Sequence, residues 1–303
     1  MQNFIVIAVF LALGALSKRL FALPEKAPLY INKFIINCAL PAVILLKLPQ
    51  LALDKNALLP MLAPWALAIV LSAVIFFLAR RLKWPRGIVG AVLILSLYSN
   101  SSYLGFPMVR AFFGDAGMPY AIMFDQLGNF IMFAVGTPIL LALFVESEQK
   151  ISALAIVKRI FSFPPFYALL AGLALNGVQY PAAIEQMLSW LGLTLAPLAM
   201  FIVGLQLSWH VPTQFRQPLI VVLALRLLIS PALALAFFML TGHRELAARV
   251  TVFEAAMPTM VTAAIMAIGT NLSPRLCTAA VGFGLILSFV TLPLWFALAN
   301  WLL

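Results

Sequence analysis

The amino-acid sequence predicts an all-α polytopic membrane protein: ten transmembrane helices in a five-plus-five inverted repeat, with two broken helices crossing near the midplane. Three observations support this prediction: an extremely apolar composition, ten apolar runs joined by short loops, and landmarks that recur at matched spacing. Hydrophobic residues make up 64% of the 303 residues, charged residues make up 9%, and the mean hydropathy is +1.09. Soluble domains are far less apolar than this.

A helix that crosses a bilayer needs about 20 consecutive apolar residues. Runs of roughly this length occur ten times, and we number them spans 1 to 10. They lie near residues 3–21, 29–48, 59–79, 88–113, 118–145, 154–176, 184–208, 218–241, 246–268 and 276–302. The loops between them are too short to hold a soluble domain.

The nineteen Lys and Arg residues predict the orientation of the chain. Thirteen lie in loops that follow odd-numbered spans, five lie on the opposite side, and Arg226 lies within span 8. The positive-inside rule therefore places the odd loops in the cytoplasm and both termini on the periplasmic or extracellular side of the cytoplasmic membrane. Lys18 and Arg19 follow the first apolar run, the reverse of a cleaved signal peptide, so span 1 is predicted to be retained. Basic loops beside anionic headgroups explain the net charge of +10 without a nucleic-acid partner.

Two spans contain polar residues and a proline that a lipid-facing helix would not need. Span 4 contains Asn100-Ser-Ser-Tyr-Leu-Gly-Phe-Pro107, and span 9 contains Glu254-Ala-Ala-Met-Pro258-Thr-Met-Val-Thr262. Proline removes a backbone donor and Gly105 tolerates unusual dihedral angles, so both helices are predicted to break near mid-membrane. Protein or a watery cavity must then satisfy the freed backbone groups. Interrupted helices in matching positions of two halves indicate a transporter's substrate site.

The landmarks divide the chain into two repeats, residues 1–148 and 149–303. From Pro41 to Pro107 is 66 positions, and from Pro197 to Pro258 is 61. Two further pairs recur at similar spacing, namely Pro138 with Pro293 and Gly14 with Gly172. Because each repeat contains an odd number of spans, the second repeat must be inverted relative to the first.

The motifs in these spans resemble the auxin efflux carrier family, which includes plant PIN carriers and bacterial malonate-type carriers. They are Cys38-Ala-Leu-Pro41, the Asn100 to Pro107 and Glu254 to Pro258 stretches, and Thr291-Leu-Pro293. The resemblance covers essentially the whole chain, but the long central loop of the plant carriers is missing. It implies a scaffold of spans 1, 2, 6 and 7, and a moving transport domain of spans 3–5 and 8–10. It also implies elevator-like transport of a small organic anion by a homodimer, for which the apolar stretches 43–48 and 200–207 are candidate surfaces.

The substrate is expected to bind at helix ends. Each break creates a half-helix whose N-terminus carries unpaired amides and a partial positive charge, which suits a carboxylate. The alternatives are that Asn100 repairs the kink and that the hydroxyl groups bond to their own helix. The candidate substrate-binding residues are Asn100, Ser101, Gly105, Pro107, Pro258, Thr259, Thr262 and Pro41.

Two of the nine acidic residues, Asp125 and Glu254, lie at membrane depth, where a carboxylate is costly and is a functional candidate by default. Asp125, Asn129, Met132 and Gly136 follow one helical stripe that is expected to face the crossing. A buried carboxylate can take and release a proton during a transport cycle, or it can hydrogen-bond the amides of a broken helix. The sequence favours Asp125 for coupling, with Asn129 in support, and Glu254 as a partner of a helix terminus.

The remaining polar residues carry weaker predictions. Arg226 either has a charge partner in the core or extends its charge to the membrane surface. His210 and His243 are expected to be solvated in loops, and Cys38 and Cys277 to be inert packing residues. Their spacing predicts no metal site and no cofactor.

Four function classes remain to be compared with anion transport. Motifs of intramembrane proteases and nucleotide-binding loops are absent from the sequence, so we expect neither an enzyme nor a nucleotide-driven pump. A monovalent-cation/proton antiporter on a similar inverted-repeat fold would carry paired acids near the crossing, whereas a passive channel would not need two broken helices. Protons and the membrane potential both stay open as the driving force.

Overall fold

The computed structural model describes residues 2–20, 27–50, 58–145, 161–205 and 213–303, together with Leu154. Regular secondary structure in this part of the chain is helical, and one isolated bridge joins Ser99 to Thr259. Six helical stretches there are long and apolar enough to cross a membrane: Tyr30–Gln50, Leu58–Leu82, Asp115–Phe144, Ala182–Leu205, Thr213–Thr241 and Pro274–Leu302. The prediction of an all-helical, multi-pass membrane protein is confirmed at this level.

Helix is present in each of the ten predicted apolar runs. In the first half the helices are α1 Gln2–Leu20, α2 Ala27–Phe34, α3 Leu40–Lys47, α4 Leu58–Leu82, α5 Arg86–Leu97, α6 Phe106–Phe113, α7 Met118–Met123 and α8 Ile131–Phe144. In the second half they are α9 Pro164–Ala174, α10 Ala182–Leu193, α11 Leu195–Leu205, α12 Arg216–Ala224, α13 Ser230–Thr241, α14 Leu246–Ala255, α15 Val261–Gly269 and α16 Pro274–Leu302.

Wider π-helical turns accommodate several of the prolines. Three of these turns, Ile35–Ala39, Ser101–Gly105 and Leu225–Ile229, each end two residues before a proline. Proline has no N–H for the regular helical ladder, and a wider turn lets the helix continue past the missing donor. The prolines concerned, in the first turns of α3, α6 and α13, are Pro41, Pro107 and Pro231. A fourth π-helical turn, Phe124–Phe130, contains Asp125.

Both predicted interruptions are present, and they are hydrogen-bonded to each other. Helix α5 ends at Leu97, α14 ends at Ala255, and α15 begins at Val261. Ser99 pairs with Thr259 in antiparallel fashion. The Asn100 amide donates to the Pro258 carbonyl at 2.8 Å, and the Met260 amide donates to the Tyr98 carbonyl at 2.9 Å. Each break thus satisfies backbone groups that the other helix has freed.

The prediction that Gly105 and Pro107 form the first break is wrong. The chain leaves the helix at Tyr98–Asn100, and Gly105 and Pro107 lie within the helical turns that follow. The π-helical turn tolerates the proline, so the helix does not need to unwind there. Gly105 is required for space instead, because a Cβ atom would lie 2.5 Å from Glu254 Oε2. In span 9, by contrast, Pro258 lies within the break itself.

Glycines bring helices of the two halves into close contact. A Cβ atom on Gly14 of α1 would lie 2.2 Å from the Phe201 carbonyl oxygen of α11, and one on Gly204 would lie equally close, at 2.2 Å, to the Leu11 carbonyl oxygen. Gly172 of α9 packs against Leu48 in the same manner, with a Cβ distance of 3.2 Å. Small residues at such contacts let helix backbones approach closely within a membrane.

These contacts correct the prediction of the dimer surfaces. Ile44 and Leu48 are buried because α9 and α10 cover α3. Met200 and Val203 are buried because α1 packs along α11. Most of residues 43–48 and 200–205 are therefore covered by the chain itself, with Leu45, Leu46, Lys47 and Phe201 half-buried, while residues 206 and 207 lie outside the described part.

An aromatic cluster holds α14 against the second part of span 4. Phe253 lies 5.3 Å from Phe112 and 5.2 Å from Phe113, measured between ring centroids. Phe296 of α16 completes the cluster, 4.9 Å from Phe112. Because Phe253 directly precedes Glu254, this packing fixes the acidic side chain beside Gly105.

Candidate functional site

Asp125 lies at the centre of a buried polar cluster beside the first break. Its Oδ1 accepts hydrogen bonds from Ser101 Oγ at 2.5 Å and from Ser102 Oγ at 2.6 Å. Its Oδ2 accepts from Gln126 Nε2 at 2.5 Å. The carboxylate therefore lies at the N-terminal end of the Ser101–Gly105 turn, where the helix dipole favours a negative charge. Bonds of this kind stabilise the ionised form of a carboxylate.

Asn129 clamps the extended backbone of the first break. Its Oδ1 accepts from the Ser99 amide at 3.1 Å, and its Nδ2 donates to the Ser99 carbonyl at 2.7 Å and to Ser101 Oγ at 2.8 Å. Gly136, on the same face of span 5, makes room for the Tyr98 hydroxyl group, which would lie 2.6 Å from a Cβ atom. This face of span 5 thus packs directly on the break.

Arg226 satisfies carbonyl groups at the ends of both interrupted helices. Its Nη1 donates to the Ser96 carbonyl at 3.4 Å, near the end of α5. Its Nη2 donates to the Ala255 carbonyl at 3.2 Å and to the Met257 carbonyl at 2.7 Å, at the end of α14. The side chain is 3% exposed, so Arg226 lies in the core and the surface interpretation is wrong. Its hydrogen-bond partners are backbone carbonyl groups rather than the predicted charged side chain. Its positive charge lies where two helix C-termini concentrate partial negative charge.

Glu254 is buried without a hydrogen-bond donor. Its relative exposure is 0%, and neither carboxyl oxygen has a partner among the described residues. The group packs against Gly105, close enough to Asp125 and Arg226 for electrostatic interaction. The structure therefore brings together the two membrane-depth acids, which lie far apart in the sequence.

The predicted substrate residues have several different environments. Asn100 is 5% exposed; its amide donates to Pro258 in the other break, and its carbonyl accepts from the Leu104 and Gly105 amides of the following turn. Its side-chain carboxamide has no hydrogen-bond partner among the described residues. Ser101 bonds Asp125, and Thr259 Oγ1 donates to the Leu95 carbonyl at 2.9 Å, so both hydroxyl groups are already engaged. Pro258 is buried and packs against Gly284.

Three predicted residues lie outside the polar cluster. Thr262 is exposed at the second position of α15, and Pro41 is half-buried in the first turn of α3. Pro107 lines a cavity of about 250 Å³ between α3, α6 and the α10–α11 segment. Other residues of the cavity wall are Val43, Lys47, Arg110, Ser189 and Pro197.

Two cations share one carboxylate at this cavity. Lys47 Nζ lies 2.9 Å from Asp115 Oδ2, and Arg110 Nε lies 3.2 Å from Asp115 Oδ1. Lys47 is at the end of α3 and Arg110 is in α6, so the ion pairs connect two separate groups of helices. The shared carboxylate leaves one net positive charge, which favours an anion in the cavity.

Sequence reasoning missed Gln126 and the backbone of Ser99, and it left Arg226 open. The available signals were a second polar side chain beside Asp125 and an isolated charge in the middle of span 8. His243 lies in the α13–α14 turn, 3.4 Å from Glu245, whereas His210 lies outside the described residues. Cys277 is buried and Cys38 is half-buried. Among the described residues no group of His, Cys, Asp or Glu is suited to a metal ion.

Two interrupted helices that satisfy each other's backbone, with ionisable side chains buried around them, define a membrane transport protein. Comparisons with known proteins support the same class. A family described as "Membrane transport protein" matches residues 3–296. The chain therefore belongs to this family, the auxin efflux carrier family that its motifs resemble, and it is a transport protein rather than an enzyme.

Two archaeal relatives match almost end to end. A protein of Methanothermobacter thermautotrophicus, described as an uncharacterized transporter, is 31% identical over 299 residues, covering 97% of this chain and 96% of the relative. The uncharacterized transporter MJ1031 of Methanocaldococcus jannaschii is 23% identical over 309 residues, covering 97% of each chain. Neither name states a substrate.

Proposed function

We propose that the protein is a secondary transporter that moves a small organic anion, a carboxylate, across the cytoplasmic membrane by elevator-like alternating access. The observation that carries this proposal is the pairing of the two interrupted helices at Ser99 and Thr259. The pairing brings together the N-termini of two helical segments, which begin at Ser101 and Val261. Their first amides lack intrahelical partners and favour an anion. The free carboxamide of Asn100 adds a neutral donor at the same point.

The proposed architecture is ten spans in two inverted repeats, 1–148 and 149–303. Contacts between loops support it. Loops that follow odd spans contact one another: Trp84 Nε1 donates to Gln217 Oε1 at 3.3 Å, and Arg86 Nε donates to the Leu143 carbonyl at 3.0 Å. Ends of even spans also contact one another: the Gly177 amide donates to the Pro49 carbonyl at 2.9 Å. Contacts that join the ends of odd spans to one another, and the ends of even spans to one another, are expected if each span crosses the membrane once.

The proposed division into a scaffold and a transport domain also has support. The close glycine contacts join span 1 to span 7 and span 6 to span 2, so the four proposed scaffold spans pack on one another. The cavity lined by Lys47, Pro107 and Arg110 lies between these spans and span 4. An anion that enters there would lie between the fixed and the moving part. We retain the homodimer as part of the proposal, with an interface outside residues 43–48 and 200–205.

In the proposal, the substrate-binding residues are those predicted from the sequence, with Asn100 as the principal contact. Asp125 and Glu254 are the two candidates for coupling transport to a proton gradient, and Asn129 holds the break in place. If no proton is coupled, the membrane potential would drive an anionic substrate directly.

A monovalent-cation/proton antiporter is the second candidate, because the structure brings Asp125 and Glu254 close together. A thermal-shift screen of the purified protein against acetate, lactate, malonate and succinate separates the two. A ligand that binds only the folded state raises the apparent melting temperature. In proteoliposomes, we then expect a gradient of the stabilising carboxylate to drive its own flux. Proton release on addition of Na⁺ or K⁺, without any carboxylate, would favour the antiporter instead.

A further inference from the structure

The two buried acids differ in their hydrogen bonds. The Asp125 carboxylate accepts three hydrogen bonds, from Ser101, Ser102 and Gln126. Glu254 accepts none from the described residues, although its exposure is 0%. A carboxylate anion requires donors when it is buried, whereas a neutral carboxylic acid requires far fewer. The hydrogen bonds therefore favour charge on Asp125 and a bound proton on Glu254.

The charged groups around Glu254 also favour a bound proton on this residue. Among the described residues, the charged groups that interact electrostatically with Glu254 are Asp125 and Arg226. The guanidinium group of Arg226 is directed to the carbonyl groups of Ser96, Ala255 and Met257 and forms no ion pair with Glu254. The charges of Asp125 and Arg226 cancel each other. A second carboxylate charge would leave this membrane-embedded cluster with a net negative charge.

Gly105 explains how Glu254 reaches this environment. A Cβ atom at residue 105 would lie 2.5 Å from Oε2 and 2.7 Å from Oε1 of Glu254. The carboxyl group therefore lies directly against the backbone of the other interrupted helix, one helical turn from Ser101, which binds Asp125. A proton on Glu254 is thus next to the helix whose N-terminus is proposed to bind the substrate.

We propose that Glu254, rather than Asp125, carries the proton that is coupled to transport, while Asp125 stays charged and anchors the Ser101–Gly105 turn. This inference rests on the proposed function for the coupling, but not for the protonation itself. When water reaches Glu254 on the low-proton side, its O–H bond breaks and the proton passes to a water molecule. The remaining carboxylate is charged and needs contact with water. The carrier therefore passes through the state in which Glu254 is buried only after a new proton has bound.

Infrared difference spectroscopy of the purified protein tests the protonation without any substrate. A carboxylic acid has a C=O stretching band that a carboxylate lacks. At neutral pH we expect Glu254→Gln to remove one such band, whereas Asp125→Asn retains it. Glu245→Gln, at an exposed acid directly before α14, is the matched control and also retains it. Loss of the band in Asp125→Asn, or its persistence in Glu254→Gln, would overturn the proposal. A band that is present only when Na⁺ is omitted would assign the site to sodium and overturn it as well.

Proteoliposome flux then tests the coupling. The quantity measured is the ratio of carboxylate uptake with a pH gradient to uptake without one. We expect this ratio to fall to about 1 in Glu254→Gln. In Asp125→Asn we expect it to stay at the wild-type value, whatever the absolute rate of uptake by that variant. The opposite pattern would return the coupling role to Asp125. If the wild-type protein moves no carboxylate, the proposed function fails, and the infrared bands still decide the state of Glu254.

Discussion

Asn129 and Asn100 both lie next to the Ser99–Thr259 pairing and have different surroundings. The carboxamide of Asn129 makes three hydrogen bonds, to both backbone groups of Ser99 and to Ser101. The carboxamide of Asn100 makes none with the described residues, although it is almost fully buried. A buried amide group that has no partner among the described residues is expected to serve a ligand or water, since an unsatisfied polar group is costly.

This contrast predicts different effects of the same substitution. Asn100→Ala is expected to abolish carboxylate flux and to shift the melting temperature by only a few degrees, because no side-chain hydrogen bond to the described residues is lost. Asn129→Ala leaves the Ser99 amide and carbonyl groups without these bonds, so we expect a loss of about 1–3 kcal/mol of stability. Flux in proteoliposomes and thermal unfolding in detergent measure the two effects. Normal transport by Asn100→Ala would show that the substrate binds elsewhere.

At the scale of the helices, both interruptions depend on a third element. Arg226 bonds carbonyl groups at the ends of α5 and α14, so one side chain from span 8 satisfies the C-termini of two half-helices. Thr259 adds a bond from the second break to the Leu95 carbonyl of α5. The breaks are thus fixed parts of the structure, held by side-chain and backbone bonds.

The way the two interruptions are held also explains which parts of the site could be predicted from the sequence. Polar residues and prolines in apolar runs indicated both interruptions, because few other structures tolerate them in a membrane. The location of the first break at Tyr98–Asn100 was not predictable, since proline normally breaks a helix and the π-helical turn before Pro107 removes that need. The electrostatic interaction between Asp125 and Glu254 was equally hidden, because it depends on how span 5 packs on two breaks distant in sequence.

The glycine contacts predict a stability effect on the proposed scaffold. Gly14→Ala would place a methyl group 2.2 Å from a backbone carbonyl oxygen, which must move helix α1 away from α11. We expect a loss of about 1–3 kcal/mol from this overpacking. Gly87→Ala is the matched control, because no atom lies within 4 Å of its Cβ position. Thermal unfolding in detergent should separate the two variants, and equal melting temperatures would show that α1 and α11 separate easily.

At the scale of the whole molecule, contacts and charges both support the two opposite faces of the proposed ten-span topology. The α4–α5 turn carries Arg80, Arg81, Lys83 and Arg86, and it contacts the end of α8 through Arg86. On the other side, Arg249 Nη2 donates to the Leu303 carbonyl at 3.1 Å, joining the start of span 9 to the end of span 10. The more basic face is the one that the positive-inside rule assigns to the cytoplasm.

Cysteine labelling tests this orientation and the number of crossings together. In a chain with Cys38→Ala and Cys277→Ala, we compare Pro85→Cys and Thr241→Cys, two exposed positions that leave the basic residues unchanged. Five proposed spans, 4 to 8, separate them. We expect a membrane-impermeant maleimide to label Thr241→Cys in intact cells and Pro85→Cys only after permeabilisation, because the basic α4–α5 turn is proposed to be cytoplasmic. The reverse pattern would invert the protein in the membrane. Labelling of both variants from the same side would require an even number of crossings between them, which is incompatible with ten spans in an inverted repeat.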